Sequence, residues 1–417
     1  MKSGALWGLL LCGGLSSACD GHGSHGDKEW TKEELEELED KWGHEWGFSG
    51  IGSFAHLEHV KCLTDPAVAY DIAIIGAPFD TAVTFRPDDM TALPRATELT
   101  KSHQGARFGP RAIRQASSRQ TAFRGFNSRA GVNPYQNWAK IIDCGDIPIT
   151  PFDNNIAREQ MTQALTQLGQ RRAVSALGGP KPKLMTLGGD HSLTLPALRA
   201  LNEIYGRPVR VLHFDAHLDT WNPNAYPSYW GATPFTHGSM FWMANQEGLL
   251  SNSSSQASVH AGLRTRLSGD AWADNEDDSS QNWVRFSSDD MDEIGTAGIT
   301  AGIMDTLGTE DPVYLSVDID VLDPAFAPGT GTPEPGGWTT RELIRVLRGI
   351  EGLNLVGADV VEVSPAYQGR GEETALAAAQ VVYELLTSMV KRGMADMGRE
   401  AQPEPKPEPK PGVKDEL

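Results

Sequence analysis

Residues 209–219 read VRVLHFDAHLD, a short run rich in apolar and β-branched side chains that leads directly into carboxylates and an imidazole. Such a run is typical of a parallel strand that is buried on both faces of a sheet. Seven further runs have the same character, so the sequence predicts eight strands. The eight runs are Asp71–Ile75, Lys140–Asp143, Leu184–Leu187, Val209–Phe214, Ser258–Leu263, Trp283–Phe286, Val313–Val317 and Leu355–Val363.

Helix-like segments lie between several of these runs and predict crossover connections. They are Arg158–Gln170, Leu195–Tyr205, Thr340–Gly349 and Thr374–Arg392. Strands that alternate with helices indicate an α/β fold with a mostly parallel sheet. Ligands of such sheets bind beyond the carboxyl ends of the strands, so the residues that follow each run are the candidates for function.

The composition fits one large core or two ordinary ones. The chain has 417 residues, of which 39% are hydrophobic and 22% are charged, and this content argues against both disorder and a small disulfide-stapled scaffold. The net charge of −19 argues against nucleic acid as a partner, because phosphate binding needs a basic face. An acidic protein suits cationic substrates or divalent metals, although ordinary surface charge produces the same total.

Four cysteines occur in the chain. Cys12 and Cys19 fall in the first twenty residues, which leaves Cys62 and Cys144 for the folded body. We expect these two to be free thiols, because two cysteines are too few for a disulfide framework or a cysteine-rich zinc site.

Both ends of the chain carry targeting patterns. Lys2, the apolar run Ala5–Leu15 and the small residues Ser16–Ala18 predict a signal peptide over residues 1–18, and the run is too short to span a bilayer. Lys414–Leu417 spells the Lys-Asp-Glu-Leu retrieval signal, which a receptor of the endoplasmic reticulum reads. We therefore expect a protein of the reticulum lumen with no membrane span, and with the retrieval receptor as a partner.

Composition also divides the rest of the chain. Residues 19–60 form an acidic extension, and residues 61–395 hold all eight runs and are the expected catalytic domain. Residues 396–417 form a tail in which proline alternates with charge, a composition that favours an extended spacer ahead of the retrieval signal.

Three predicted strands end in acids and imidazoles. The side chains on one strand alternate between faces, so Asp215, His217 and Asp219 should project together, and so should Asp318 and Asp320. Buried carboxylates in such numbers need a cation. Oxygen and nitrogen ligands without a thiolate suit manganese, magnesium or zinc, and four carboxylates are enough to bridge two ions. The candidate ligands are His191, Asp215, His217, Asp219, Asp318 and Asp320, with Asp190 as support for His191.

With these motifs in this order, the sequence resembles the ureohydrolases, the family of arginases and agmatinases. The resemblance extends from about Ile72, within DIAIIGAPFD, to about Leu386. It implies a three-layer α/β/α sandwich with an eight-stranded, mostly parallel sheet. It also implies two Mn²⁺ per chain and hydrolysis of a linear guanidine compound to urea and an amine. The ligands that it assigns are His191, Asp215, Asp219 and Asp318 for one ion, and His217, Asp215, Asp318 and Asp320 for the other, with Asp215 and Asp318 bridging.

The resemblance also assigns three catalytic residues. Asp219 would accept a hydrogen bond from the attacking hydroxide that two metals generate. Glu362, at the end of the last run, would pair with the substrate guanidinium by a bidentate contact. His237 would carry a proton to the leaving amine, which suits an imidazole.

Several stretches look like agmatinases rather than arginases. They are Thr236–Phe241 and Pro328–Gly337, together with Leu263–Arg266, which lacks the Asp that arginases use to hold an α-amino group. The loop from Thr220 to Thr236 has aromatic residues and no charged ones, and aromatic faces can hold the ammonium of agmatine. Agmatine is therefore the expected substrate, 4-guanidinobutyrate and arginine are alternatives, and we expect a homo-oligomer.

The sequence departs from the family pattern at two places. Residues 88–104 are an insertion, either a surface excursion near the active-site mouth or an error of the gene model. Gln368 stands where agmatinases usually carry Asp, at a position expected to support Glu362.

Two other functions remain open. One is a mononuclear zinc deacetylase on the same kind of sheet, and the other is a non-catalytic protein that binds guanidines or polyamines.

Overall fold

The computed structural model divides into two units. The described residues are 31–33, 36, 52–83, 105–175, 177–225, 235–251 and 253–398, so both targeting signals and the 88–104 insertion lie outside them. In the first unit, Met1–Trp46, the described residues Lys32, Glu33 and Glu36 are helical. The second unit, Gly47–Leu417, contains the elements that follow.

An eight-stranded sheet lies at the centre of the second unit. The strands are β1 Ile72–Ala77, β2 Ile141–Asp146, β3 Lys183–Gly188, β4 Arg210–Phe214, β5 Ser258–Leu263, β6 Trp283–Ser287, β7 Pro312–Asp318 and β8 Asn354–Val361. Their order in the sheet is β2-β1-β3-β8-β7-β4-β5-β6, and every neighbouring pair is parallel, which confirms the predicted sheet. The last strand ends two residues earlier than the run Leu355–Val363 predicts, because the chain turns out of the sheet after Val361.

Helices cover both faces of the sheet. Ile72 and Ile74 of β1 belong to one buried apolar cluster with α1, α7, α8 and α9, whereas Ala73 and Ile75 belong to a second cluster with α2, α3 and α4. The result is the expected three-layer α/β/α sandwich. No described helix is both long and apolar enough to cross a bilayer. The described helices of the second unit are α1 Gly109–Ala116, α2 Asn154–Gly169, α3 Thr194–Tyr205, α4 Met240–Gln246, α5 Ala273–Ser280, α6 Asp290–Glu293, α7 Gly295–Leu307, α8 Thr340–Gly349 and α9 Glu373–Asp396.

The four middle strands bring the candidate ligands to one edge of the sheet. The register pairs Leu187 of β3 with Val360 of β8, and Val317 of β7 with both Val360 and Phe214 of β4. The carboxyl ends of β3, β8, β7 and β4 therefore lie at one level. The loops that follow them adjoin one another, as expected for the binding edge of a parallel sheet.

The expectation of free thiols is wrong, because Cys62 and Cys144 form a disulfide. The segment before Cys62 runs beside β2, where Val60 N–H donates to the Asp143 carbonyl at 2.9 Å. This pairing brings the two cysteine Cα atoms within 5.1 Å although 82 residues separate them along the chain. A count of cysteines cannot reveal a proximity that depends on where the segment docks.

Candidate metal centre

The first group of candidate ligands surrounds the imidazole of His191. Nδ1 of His191 lies 3.1 Å from Oδ2 of Asp215, 3.1 Å from Oδ2 of Asp219 and 3.3 Å from Oδ2 of Asp318. All four residues are buried. His191 begins a short 3-10 turn after β3, whereas the carboxylates come from the ends of β4 and β7, so three separate parts of the chain build the group.

The second group surrounds the imidazole of His217. Nδ1 of His217 lies 3.1 Å from Oδ1 of Asp215 and 3.1 Å from Oδ2 of Asp320. Asp215 therefore faces the first group with Oδ2 and the second with Oδ1, as a bridging carboxylate would. Asp318 reaches the first group through Oδ2, and its Oδ1 accepts the N–H of Asp320 at 2.8 Å. The bridging role of Asp318 stays a prediction.

The six predicted ligands converge, but strand alternation is not the reason. β4 ends at Phe214, so Asp215 and the residues after it lie in a loop. Asp219 has a φ of 55°, in the left-handed region that non-glycine residues rarely adopt. Asp320 lies in the 3-10 turn Ile319–Val321, which follows β7 directly. The loop and the turn, rather than a pleated strand, aim these carboxylates at the two imidazoles.

The spacing of the first group fits a metal ion. Octahedral ligands about 2.1 Å from an ion lie about 3.0 Å from one another, close to the spacing of the atoms around His191. Nδ1 of His191 is buried and has no hydrogen-bond partner among the described residues, although three carboxylate oxygens surround it. A cation between these atoms would satisfy the nitrogen and the oxygens together.

Repulsion among the carboxylates is a second reason for a cation. Burial, and then the nearby Asp320 and Asp215, raise the pKa of Asp318 well above its usual value. Burial and Asp215 also raise the pKa of Asp320 to about 6, although His217 opposes this shift. A divalent cation offsets the repulsion and keeps such carboxylates ionised.

Glu362 and His237 form a buried pair next to His191. Glu362 follows β8 with a φ of 61°, and its Oε1 accepts the backbone N–H of His191 at 2.8 Å. The same oxygen lies 3.0 Å from Nδ1 of His237, whereas the buried Oε2 has no hydrogen-bond partner among the described residues. Burial lowers the pKa of His237, but the hydrogen bond and the charge of Glu362 outweigh it and raise that pKa to about 9.

Asp190 supports the site from outside, whereas Gln368 bonds to the start of a helix. Asp190 accepts the N–H groups of Ser192 at 3.1 Å and Ala82 at 2.9 Å, so it caps the turn that carries His191 and anchors the segment after β1. Gln368 accepts the N–H of Ala375 at 3.0 Å, in the first turn of α9. Its side-chain oxygen is thus used at a helix start, and Glu362 has other partners.

Three buried polar residues that hold the ligands were not predicted from the sequence. Nε2 of His191 lies 2.8 Å from Oγ of Ser316, and this hydroxyl donates to Asp359 at 2.7 Å. Nε2 of His213 lies 2.9 Å from Oδ2 of Asp215. A signal for all three was present, because Ser316, Asp359 and His213 are polar residues inside apolar runs that end at the site.

Arg264 ties together the loops around the second group. Its guanidinium donates to the carbonyl oxygens of Asp320 at 2.6 Å, Glu334 at 2.7 Å and Leu322 at 3.3 Å. Thr332 also donates to Oδ2 of Asp320 at 3.3 Å. Arg264 is therefore committed to backbone carbonyls and fixes the segment that carries Asp320.

A cleft with about 410 Å³ of empty space, partly open to solvent, adjoins both groups. The indole of Trp221 forms part of its wall and donates from Nε1 to Asp274 at 3.0 Å. Tyr226, Tyr229 and Trp230, the other aromatic residues of this loop, lie outside the described residues. The lining residues are His217, Asp219, Trp221, Thr236, His237, Gly238, Asp318 and Thr332.

Known proteins share this sequence pattern and this fold. The arginase family matches residues 70–387 of the chain. "Putative agmatinase 1" of Schizosaccharomyces pombe is 44% identical over 82% of this chain and 83% of its own length. The agmatinase of Chromobacterium violaceum is 36% identical over 84% of this chain and 91% of its own. The solved structure of proclavaminate amidinohydrolase from Streptomyces clavuligerus has a TM-score of 0.68 and 35% identity, and the match covers 84% of this chain and 100% of that one.

Fold and site together define a metal-binding hydrolase that acts on amidino C–N bonds, and the two groups that share Asp215 suggest a binuclear centre. The chain belongs to the arginase family and, within it, to the agmatinase-like branch.

Proposed function

We propose that the protein hydrolyses agmatine to putrescine and urea with two Mn²⁺ per chain. The observation that carries this proposal is the pair of histidine–aspartate groups that share Asp215, next to the buried pair of Glu362 and His237. Relatives that are named agmatinases support the substrate. Manganese suits a site that combines carboxylates with imidazoles and contains no thiolate.

Bound manganese would activate a water for attack on the guanidinium carbon. Asp219 lines the cleft as well as facing His191, so its carboxylate can orient that water by accepting a hydrogen bond. The residues that would hold the ions are His191, Asp215, Asp219 and Asp318 for the first, and His217, Asp215, Asp318 and Asp320 for the second.

Glu362 would position the guanidinium. Its Oε1 already accepts hydrogen bonds, so Oε2 is the oxygen available for a first charge-assisted contact. A bidentate contact requires His237 to leave Oε1. Substrate binding would therefore separate the carboxylate from the imidazole and direct His237 towards the substrate.

His237 would donate the proton that the leaving amine needs. Before substrate binds, its raised pKa of about 9 keeps the imidazole protonated at neutral pH, so the ring already carries the proton that it would donate once it leaves Glu362. The backbone N–H of His237 donates to the Ala82 carbonyl at 3.2 Å, and this bond holds the turn that carries the imidazole ring.

Agmatine differs from the alternative substrates in the group at the end opposite the guanidinium. The described residues that line the cleft include no Lys or Arg, whereas a guanidino acid such as 4-guanidinobutyrate would need a cationic partner for its carboxylate. Trp221 offers an aromatic face to an ammonium. A guanidino acid is the second candidate, because a relative named proclavaminate amidinohydrolase is 38% identical. Arginine ranks third.

Urea release measured separately from agmatine, 4-guanidinobutyrate and arginine, in manganese buffer, tests this function. We expect the largest kcat/KM for agmatine and two metal ions per chain. Urea from none of the three would overturn the hydrolase proposal and favour a guanidine-binding protein. A single zinc ion per chain would favour the deacetylase alternative.

We also propose that the protein resides in the lumen of the endoplasmic reticulum and forms a homo-oligomer. The disulfide between Cys62 and Cys144 supports an oxidising compartment. Deletion of Lys414–Leu417 should release the protein into the medium of expressing cells, and its retention would contradict recognition by the retrieval receptor. Light scattering of the purified protein measures the oligomeric state.

A further inference from the structure

A chain of buried side chains leads away from Asp215 on the side opposite His217. Nδ1 of His213, whose Nε2 contacts Asp215, lies 2.7 Å from Nδ1 of His260, and Nε2 of His260 lies 3.2 Å from Oδ1 of Asp278. His213, His260 and Asp278 have no solvent-exposed area. The sheet register explains the first step, because His213 of β4 and His260 of β5 are direct neighbours in the parallel pair.

The carboxylates at the two ends set the direction of each hydrogen bond. Asp215 can only accept, so His213 donates from Nε2 and, as a neutral ring, accepts at Nδ1. His260 must then donate from Nδ1 to His213 and from Nε2 to Asp278, so the two rings together hold three N–H protons and carry one positive charge. Asp278 therefore orients the His260 ring, and through it the His213 ring that donates to Asp215.

Asp278 also supports the loop that carries Asp219. Its Oδ1 accepts the hydroxyl of Thr220 at 2.8 Å, and the Thr220 carbonyl accepts from the side-chain amide of Gln281 at 3.0 Å. Thr220 directly follows Asp219, which has the left-handed backbone described above. Helix α5, through a single aspartate, thus reaches both Asp215 and the neighbour of Asp219.

We propose that His260 and Asp278 are positioning residues of the metal centre, which fix the Asp215 carboxylate through His213 and the Asp219 loop through Thr220. The inference rests on the proposed function, because it needs a metal at the two ligand groups. Partners that orient metal ligands are typically worth about 10- to 100-fold in metal affinity. Neither residue is among the six predicted ligands or the three predicted catalytic residues.

Titration of manganese into the metal-free full-length protein, followed by calorimetry, tests the role. His260→Phe keeps a flat ring but removes both hydrogen bonds, and Asp278→Asn keeps the volume but removes the charge. We expect each variant to bind manganese about 10- to 100-fold more weakly. At saturating manganese we expect kcat to recover and KM for agmatine to remain within about twofold of wild type.

Trp283→Phe is the matched control for packing. The Trp283 ring stacks on His260 at 3.8 Å between centroids, and its Nε1 has no hydrogen-bond partner among the described residues. This variant should keep the wild-type manganese affinity. Equal loss of affinity in Trp283→Phe and His260→Phe would overturn the positioning role in favour of packing.

The outcomes separate the two proposals. Wild-type affinity in a folded His260→Phe or Asp278→Asn variant would overturn the positioning role alone. Absence of manganese binding to the wild-type protein would instead overturn the metal centre on which the proposed function depends. Near-UV circular dichroism checks the fold, and Asp278→Asn carries the test if His260→Phe does not fold.

Discussion

Removal of the Cys62–Cys144 disulfide, by replacing both cysteines with serine, should destabilise the protein measurably. The bond closes a loop of 82 residues, and the chain-entropy estimate for such a loop is about 4.5 kcal/mol at 25 °C. An unfolding entropy of about 2.1 cal/mol/K per residue, over the roughly 320 described residues, converts this to a fall in Tm of about 7 °C. The segment before Cys62, which the bond pins against β2, should loosen first.

Differential scanning calorimetry at a fixed manganese concentration measures this effect, because bound metal itself raises Tm. Wild-type protein treated with a reductant should melt like the Cys62→Ser, Cys144→Ser variant, and the variant should not respond to the reductant. Thiol titration of the unfolded protein should detect two fewer thiols before reduction than after it. A variant that melts within about 1 °C of wild type would refute the estimate.

Three further predictions concern the site. Asp320→Ala should abolish urea release and lower the metal content, and retained turnover would reject Asp320 as a ligand. Glu362→Gln should change the pH dependence of stability in metal-free protein. The folded-state pKa of His237, about 9, exceeds the ordinary histidine value of 6.5, so the pair contributes about 3 kcal/mol below pH 6.5 and loses it as pH rises through 9. The variant should flatten this slope in a series of melting curves, and an unchanged slope would contradict the coupling. Trp221→Ala should raise KM for agmatine by about 2- to 30-fold with kcat nearly unchanged, and an unchanged KM would remove the indole from the ammonium site.

The sheet was largely predictable from sequence, because strands that are buried on both faces must be apolar along their whole length. The loops at the site were not. Asp219 and Glu362 adopt left-handed backbone, which Asp visits only occasionally and Glu rarely, so the surrounding structure must impose it. Their type and their place after a strand indicated function, whereas their geometry depends on tertiary contacts.

Residues that act through others were the hardest to identify. His260 and Asp278 resemble an ordinary polar residue in a strand and an ordinary acid on a helix until the register of β4 with β5 brings His260 next to His213. The disulfide was missed for the same reason, since 82 residues separate its cysteines. Sequence spacing carries no information on such contacts without the fold.

The metal ligands come from distant segments of the chain, so we expect the metal to bind late in folding. The Ala216 N–H donates to Asp320 across a separation of 104 residues, and His191 comes from a third segment. A nascent or partly folded chain cannot present these side chains together, and pairing over such separations is slow. Metal content would therefore report completed folding, and a chain that stalls before β7 joins β4 would remain both inactive and metal-free.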